Sequence, residues 1–221
     1  MTIINTKYNN LDKYSQTFKL AKPYPHLILD NFLEESFFNN LNLENLNFNT
    51  NRGITFNTDI EKNKWTSKNE ILSENLKLII NELNKIKFLE SLFKLTGIPE
   101  LFSTAEGNTL LANYHEMYES GFLGTHVDHS SEPITGSPHV LNIILYLSKN
   151  WQKSWGGSTT LANKNGQKIE KIIDYVPNRA VIFLHTPFTF HGVSEIKNNT
   201  IKRSTIYVDY YSKSMKPYNH L

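Results

Sequence analysis

His126-Val127-Asp128 sets an imidazole two residues from a carboxylate. None of the other histidines, at 26, 115, 129, 139, 185, 191 and 220, has an acid at that spacing. In an extended strand residues i and i+2 face the same side, so the imidazole and the carboxylate point together. With 8 histidines and 21 acidic residues in 221, about one such pair arises by chance, and alone it fits a surface hydrogen bond as well as a metal site. Two downstream groups shift the balance. His191 follows the apolar run 180–184 in Phe190-His191-Gly192-Val193, and Arg203 comes 12 residues later in Lys202-Arg203-Ser204-Thr205. Two imidazoles and one carboxylate can cover one face of an octahedral ferrous ion and leave three positions open, as oxygen-activating iron requires. The guanidinium then offers a planar fork suited to a carboxylate.

These side chains need strands to aim them. In the last β-prone run, Arg203, Thr205, Tyr207 and Asp209 share one face. In the run 140–147, Asn142, Ile144 and Tyr146 share a face opposite Leu141, Ile143, Leu145 and Leu147. A mixed polar face backed by an apolar one suits a barrel with a filled outer layer and a functional lumen, where Tyr146 meets Arg203. Short β-prone runs at 108–118, 139–148, 157–162, 168–176, 179–185 and 201–211 point to a sandwich or barrel rather than a parallel α/β sheet.

The first hundred residues read as helix-rich. Residues 1–24 are polar and read as a loosely tied arm, 25–30 as a short buried strand, and 34–46 as a helix. The stretch 47–65 is open between a hairpin and a mobile flap. Ile71, Leu72, Leu76, Ile79, Ile80 and Leu83 recur at helical spacing over 67–87, with Ser67 and Glu70 as a capping box. A second helix over 89–96 stops at Gly97 with Pro99 beyond. No internal repeat or long linker divides the chain, so one domain over 1–221 is expected.

Composition narrows the chemistry. The absence of cysteine excludes disulfides, thiolate metal sites and a thiol nucleophile, so a metal must be held by His, Asp and Glu. A net charge of +2 with scattered lysines gives no nucleic-acid footprint. No run reaches the roughly 18 apolar residues of a membrane span, and the opening residues lack the apolar run of a secretory signal. A soluble cytoplasmic protein with neither a nucleic-acid nor a membrane partner is expected.

Between Tyr118 and Tyr211 a series of landmarks occurs in order: Tyr118-x-x-Gly121, His126-Val127-Asp128, Tyr146-Leu147 followed by Trp151, Gly156-Gly157, Pro177-Asn178-Arg179 before an apolar strand, His191-Gly192-Val193, and Arg203. On these the sequence resembles the catalytic core of Fe(II)/2-oxoglutarate-dependent dioxygenases of the prolyl-hydroxylase-like group, over a little under half the chain. The step from His191 to Arg203 is slightly longer than in many relatives, so a bulge or longer turn is expected there. The resemblance implies a mainly β fold with flanking helices (α+β): a double-stranded β-helix, or jelly-roll, core over 108–221 supported by a helix-rich 1–107. It implies that His126, Asp128 and His191 bind Fe(II) as the catalytic centre, and that Arg203 binds the distal carboxylate of 2-oxoglutarate with help from Tyr146. Thr205 matches a position that often adds a hydroxyl to that carboxylate, and Tyr118 matches a tyrosine that lines the cosubstrate pocket. Asp128 counts against a halogenase, in which a small residue takes this place.

The implied activity is hydroxylation of an unactivated C–H bond in a peptidyl, amino-acid or small-metabolite substrate, with O2 consumed and succinate and CO2 released. Ascorbate is a supporting reductant. Demethylation or desaturation by the same chemistry, and a silent metal-binding β-barrel acting as an interaction module, are the alternatives. Of the other histidines, His129 reads as a rim residue or hydrogen-bond partner, and His115 and His139 as structural. His185 competes with His191 for the distal ligand, but the Gly-Val after His191 and its distance to Arg203 favour His191. Trp151 and Trp155 read as packing residues. Segments 51–65 and 129–138 are candidate flaps or plain surface loops.

Overall fold

The computed structural model describes residues 2–43, 53–67, 72–104 and 112–216. Its centre is strand β6 (His139–Tyr146), whose eight residues are all buried. Burial of every residue means that both faces are covered. Leu141, Ile143 and Leu145 pack into one apolar cluster with the helices, while Ile144 and Tyr146 pack into a second cluster on the other side. The same alternation divides β9 (Ala180–Leu184): Ala180 and Ile182 face the helices, and Val181 and Phe183 face the second cluster.

The remaining strands are β1 (His26–Leu29), β2 (Gly53–Phe56), β3 (Glu61–Ser67), β4 (Leu101–Phe102), β5 (Ala112–His126), β7 (Thr159–Ala162), β8 (Ile169–Ile173), β10 (His191–Val193) and β11 (Arg203–Ser212). They pair antiparallel along the path β1-β9-β6-β11-β5-β10-β7-β8, with β3 on the free side of β5, β2 on β3 and β4 on β11. Strand β5 turns this path into a curl. Its first part pairs with β11, from Val208↔Ala112 to Arg203↔Met117, and its last part leaves β11 to pair with β10, His191 opposite His126. Between the two parts Ser120 adopts a positive φ of 59°, and the register against β3 shifts. A local irregularity of this kind bends a strand and increases its twist. The product is a curled antiparallel half-barrel, the double-stranded β-helix expected above, with helices on its outer face.

Four α-helices are found among the described residues: α1 (Ser15–Leu20), α2 (Glu35–Asn39), α3 (Glu74–Leu83) and α4 (Ile86–Thr96). Helix α3 buries Leu76, Ile79, Ile80 and Leu83, and α4 buries Phe88, Leu92 and Leu95 against the back of the sheet. Each such side chain contributes about 1.5–3 kcal/mol when fully buried. The Tyr210 hydroxyl of β11 donates to the Leu83 carbonyl at 3.0 Å, satisfying one of the orphaned acceptors at the end of α3 and fixing that helix to the sheet. Among the described residues no helix is long and apolar enough to cross a membrane.

Four sequence expectations change. Ser67 is the last residue of β3, and the N-cap of α3 is Ser73, whose hydroxyl accepts from Leu76 N. The 67–87 helical reading therefore splits into α3 and the start of α4, three residues ahead of the expected 89. Residues 2–24 are not a loose arm, because Ile3, Ile4, Tyr8, Leu11 and Phe18 are buried in the main core. The helix expected over 34–46 covers only 35–39 before turning at Asn40. The stretch 53–67 is a hairpin. The expectations for 44–52, Glu70, Ile71, 108–111 and His220 lie outside the described residues.

Asn178 ties these layers together. It sits in the left-handed region at φ 60°, accepts from Leu33 N at 2.8 Å and donates to Leu33 O at 3.0 Å, both buried. Losing such bonds costs about 1–3 kcal/mol for each group left unpaired, and a β-carbon without a compensating side chain costs roughly 1–2 kcal/mol in this backbone region. Asn178→Ala should therefore lower unfolding free energy by at least about 3 kcal/mol in urea titration. Asn178→Gly, free of the backbone penalty, should lose less. Equal losses for the two would contradict the backbone part of this account.

Candidate active site

His126 ends β5 and His191 begins β10, and the two are direct partners across the strand pair. This pairing needs close approach, since a β-carbon on Gly192 would lie 2.6 Å from the Leu123 carbonyl oxygen. Asp128 follows in the segment after β5, with Oδ1 3.3 Å from His126 Nε2 and Oδ2 3.3 Å from His191 Nε2. One ligand atom from each of the three residues lies within 4.8 Å of the other two. The other ring nitrogens are committed: Nδ1 of His126 donates to the Gly124 carbonyl at 2.9 Å, and Nδ1 of His191 to the Thr189 carbonyl at 3.2 Å. That arrangement leaves both Nε2 atoms facing the carboxylate as the nitrogens that can ligate a metal. Burial opposes the charged form of His126, but Asp128 outweighs it and raises its pKa, so the metal takes the place of a proton there.

Asp128 is itself held in place. Its Oδ2 accepts from Asn142 Nδ2 at 2.9 Å and from the Tyr207 hydroxyl at 2.6 Å. Burial favours its neutral form, but the imidazoles of His191 and His126 override this and hold the carboxyl well below the usual range. Burial draws His191 down to about 4. At neutral pH the cluster therefore offers a carboxylate and an uncharged His191, as a divalent cation demands.

Arg203 lies at the start of β11 and is only 3% exposed. Its Nε donates to the Gly157 carbonyl at 2.7 Å, while its buried Nη2 has no hydrogen-bond acceptor. Among the described residues no carboxylate forms an ion pair with it. The guanidinium stands 5.4 Å from the Tyr146 ring centroid and 5.1 Å from that of Tyr175, and these two rings stack at 4.5 Å. Burial pulls its pKa below the ordinary value. A buried cation without a counter-charge is costly, so this one is arranged for an anion that enters. Gly157 holds φ +68°, and a β-carbon there would come within 3.0 Å of Arg203 Cδ, so only glycine both turns the chain and leaves room for the side chain. The Tyr146 hydroxyl hydrogen-bonds Thr159 Oγ1 at 2.5 Å, which fixes its ring beside Arg203.

A cavity of about 130 Å³ joins the two groups. His126, Asp128 and His191 line it together with Arg203, Thr205, Tyr207 and Asp209 from one face of β11. Met117, Leu123, Ile144 and Val193 add apolar wall. The space is smaller than the roughly 300–1,000 Å³ of drug-sized ligand sites and suits one compact molecule. Residues 194–202 form the connection that lengthens the step from His191 to Arg203, turning where Asn198 Oδ1 accepts from Thr200 N.

Tyr118 does not line this cavity. It lies on the opposite face of β5 with Tyr114 and Glu116, and its hydroxyl donates to Glu116 Oε2 at 2.5 Å. Two register shifts in β5, against β3 between Met117 and Phe122 and against β10 between Leu123 and His126, break the alternation, so His115, Met117 and Leu123 line the cavity together with His126. His115 thus lines the cavity, with its ring stacked on Tyr207 at 5.7 Å. His185 is buried beside His139 and takes no part in the cluster around Asp128 Oδ2; its Nε2 faces only the Asp128 backbone carbonyl at 3.4 Å. Trp151 and Trp155 pack edge to face. Of 129–138, only His129 reaches the cavity, whereas the hairpin β2–β3 contributes Phe56, Lys64 and Thr66. Tyr175, the platform under Arg203, escaped the sequence reading because a lone tyrosine ahead of Pro177 belongs to no motif.

Residues 111–209 match the family model of the 2OG-Fe(II) oxygenase superfamily. Over that segment, a little under half of the chain, the sequence is similar to that superfamily. The chemistry of the superfamily uses Fe(II), 2-oxoglutarate and O2, and the donors present here fit them: an all-N/O triad, and a buried guanidinium with no carboxylate ion-paired to it among the described residues. No curated protein matches this chain in sequence. In fold it is similar to a Pseudomonas putida prolyl-4-hydroxylase, at 14% identity and a TM-score of 0.64, over 94% of this chain and 100% of the other. A Trichoplax adhaerens prolyl hydroxylase, solved with a hypoxia inducible factor oxygen degradation domain peptide, matches at 15% identity and a TM-score of 0.64, over 95% and 93% of the two chains. A viral collagen prolyl hydroxylase from Paramecium Bursaria Chlorella virus-1, in complex with 2OG, matches at 12% identity and a TM-score of 0.56, over 87% and 99%.

Proposed function

We propose that this protein is an oxygenase that hydroxylates an unactivated C–H bond in a peptidyl, amino-acid or small-metabolite substrate, converting 2-oxoglutarate and O2 to succinate and CO2. His126, Asp128 and His191 hold Fe(II), and Arg203, with Tyr146 and Thr205, holds the distal carboxylate of 2-oxoglutarate. One observation carries this reading: a facial set of two imidazoles and a carboxylate shares a small cavity with a buried guanidinium that has no anionic partner among the described residues.

Bound ferrous ion supplies the oxygen and electron chemistry that the side chains lack. The chain supplies geometry and polarity. His126 and His191 present Nε2 because the backbone holds Nδ1, and Asp128 is oriented by Asn142 and Tyr207. Arg203 fixes one end of a dicarboxylate, so its other end reaches toward the triad. Met117, Leu123, Ile144 and Val193 keep bulk water from the space between them. A peptidyl substrate gains support from the Trichoplax neighbour's bound peptide and from the hairpin β2–β3 at the cavity.

The test incubates the protein with Fe(II), ascorbate, 2-oxoglutarate and a library of metabolites and peptides, reading succinate and product mass together. Gain of one oxygen atom supports hydroxylation, loss of two hydrogens indicates desaturation, and no succinate under any condition defeats the enzyme reading. If the hairpin selects the substrate, Phe56→Ala and Lys64→Ala should change relative kcat/KM between substrates by about 10-fold or more, the scale on which single pocket contacts discriminate. Succinate formed without substrate should change far less. Unaltered preference in both variants would remove the hairpin from substrate choice.

A further inference from the structure

Beside the triad lies a second convergence of metal-binding groups: His129 after β5, His139 at the start of β6 and Asp209 in β11. Asp209 Oδ1 is 3.4 Å from His139 Nε2, and Oδ2 is 3.7 Å from His129 Nε2. One ligand atom from each of the three lies within 4.8 Å of the others. We infer that His129, His139 and Asp209 form a second divalent-metal site, distinct from His126, Asp128 and His191, for a borderline ion such as Zn(II).

The case rests on an excess of acceptors. Asp209 is completely buried, and although the Tyr207 and Tyr211 hydroxyls lie beside it, neither of its carboxylate oxygens receives a hydrogen bond of full geometry. The His139 ring is oriented on both sides: Nδ1 donates to the His129 carbonyl at 3.0 Å, and the ring stacks on His185 at 4.0 Å with 10° between planes. Its Nε2 therefore turns a lone pair toward Asp209. The same nitrogen also meets Asn142 Oδ1, and this amide cannot turn its nitrogen inward because Nδ2 is committed to Asp128. Two carboxylate oxygens, an amide oxygen and an imidazole nitrogen converge here, and a divalent cation, displacing any proton held among them, satisfies them together.

Geometry and ligand type indicate which cation. With metal–ligand bonds of about 2.1 Å, the 3.4 Å and 3.7 Å separations subtend about 108° and about 124° at the ion, a distorted tetrahedral range. Two imidazoles and a carboxylate without thiolate suit zinc and its neighbours better than calcium or magnesium. The Tyr211 hydroxyl hydrogen-bonds His129 Nε2 at 2.7 Å, a contact that a bound cation replaces. His129, with its side chain 39% exposed, supplies the entry path, while the other two ligands are closed off.

The site is tested by counting metal on the whole protein. Chelator-stripped wild type, Asp128→Ala, His129→Ala and Asp209→Asn are loaded with Zn(II), dialysed and measured by elemental mass spectrometry. Parallel Co(II) loading reads tetrahedral ligand-field absorption. Two equivalents are expected for wild type and one for each single variant, with the tetrahedral Co(II) bands retained in Asp128→Ala and lost in His129→Ala and Asp209→Asn. His129→Ala changes an exposed side chain, so its count remains informative if Asp209→Asn folds poorly. A wild type that saturates at one equivalent which Asp128→Ala loses and His129→Ala keeps, or His129→Ala and Asp209→Asn proteins that keep the wild-type count and spectrum, overturns the proposal. If the triad rather than this site is wrongly assigned, Asp128→Ala keeps the wild-type count while His129→Ala still lowers it.

Discussion

Asp128→Ala is expected to abolish 2-oxoglutarate turnover while leaving the fold intact. Asp128 is the one anionic donor of the triad, and both imidazoles converge on its two oxygens at 3.3 Å. Removing a hydrogen-bond partner of a metal ligand typically costs about 10–100-fold in metal affinity or activity. Loss of the ligand should exceed that range, so succinate production should fall by more than about 100-fold, with Fe(II) affinity falling alongside. Asn142→Ala and Tyr207→Phe, which remove donors to Asp128 Oδ2, should lie within the 10–100-fold range. This ranking separates a ligand from its supports. His191→Ala belongs with Asp128→Ala, since its ring is 4.4 Å from that of His126 and its Nε2 faces the same carboxylate. Full succinate production by Asp128→Ala, measured at saturating Fe(II), would defeat the ligand assignment.

Much of the frame around this site is written in local periodicity. The spacing of Leu76, Ile79, Ile80 and Leu83 gives a helix because those positions form one stripe, and the structure buries all four. The period-2 pattern of β11 puts Arg203, Thr205, Tyr207 and Asp209 on the cavity side for the same kind of reason. Alternation fails where a strand is irregular. Counting by twos from His126 places Tyr118 on the inner face, but register shifts on either side of Phe122-Leu123 break the count, and His115 and Met117 turn inward. Nothing in the run from Glu119 to Thr125 marks those shifts beyond its two glycines. The N-terminal segment was misread because its apolar residues are spaced among asparagines and lysines. Ile3, Ile4, Tyr8, Leu11 and Phe18 are buried only because the back of the sheet is there to receive them, a tertiary fact without a local signature. Asp209 is legible as a member of the inward face, but the convergence of His139 and His129 on it depends on β6 and on the segment after β5.

Arg203→Met should separate function from stability. In the wild type the guanidinium is buried with Nη2 unsatisfied and no carboxylate paired with it. Removing one member of a buried charge pair typically costs about 3–5 kcal/mol, equivalent to roughly 10²–10⁴-fold in affinity, and 2-oxoglutarate is the proposed second member. The KM for 2-oxoglutarate should therefore rise by at least about 100-fold, with kcat at saturation reduced less. The ligand-free protein should behave in the opposite way. An unpaired buried cation opposes folding, and methionine of comparable length fills the space over Tyr146 and Tyr175 without the desolvation cost. Unfolding in urea without 2-oxoglutarate should then show Arg203→Met as stable as wild type or more so. Added 2-oxoglutarate at 100 times its Kd should stabilise wild type by about 2.7 kcal/mol and leave the variant unmoved. A variant that loses stability by more than about 2 kcal/mol without ligand, yet keeps the wild-type KM, would mean that Arg203 serves the core through Gly157 and the tyrosine pair rather than waiting for an anion.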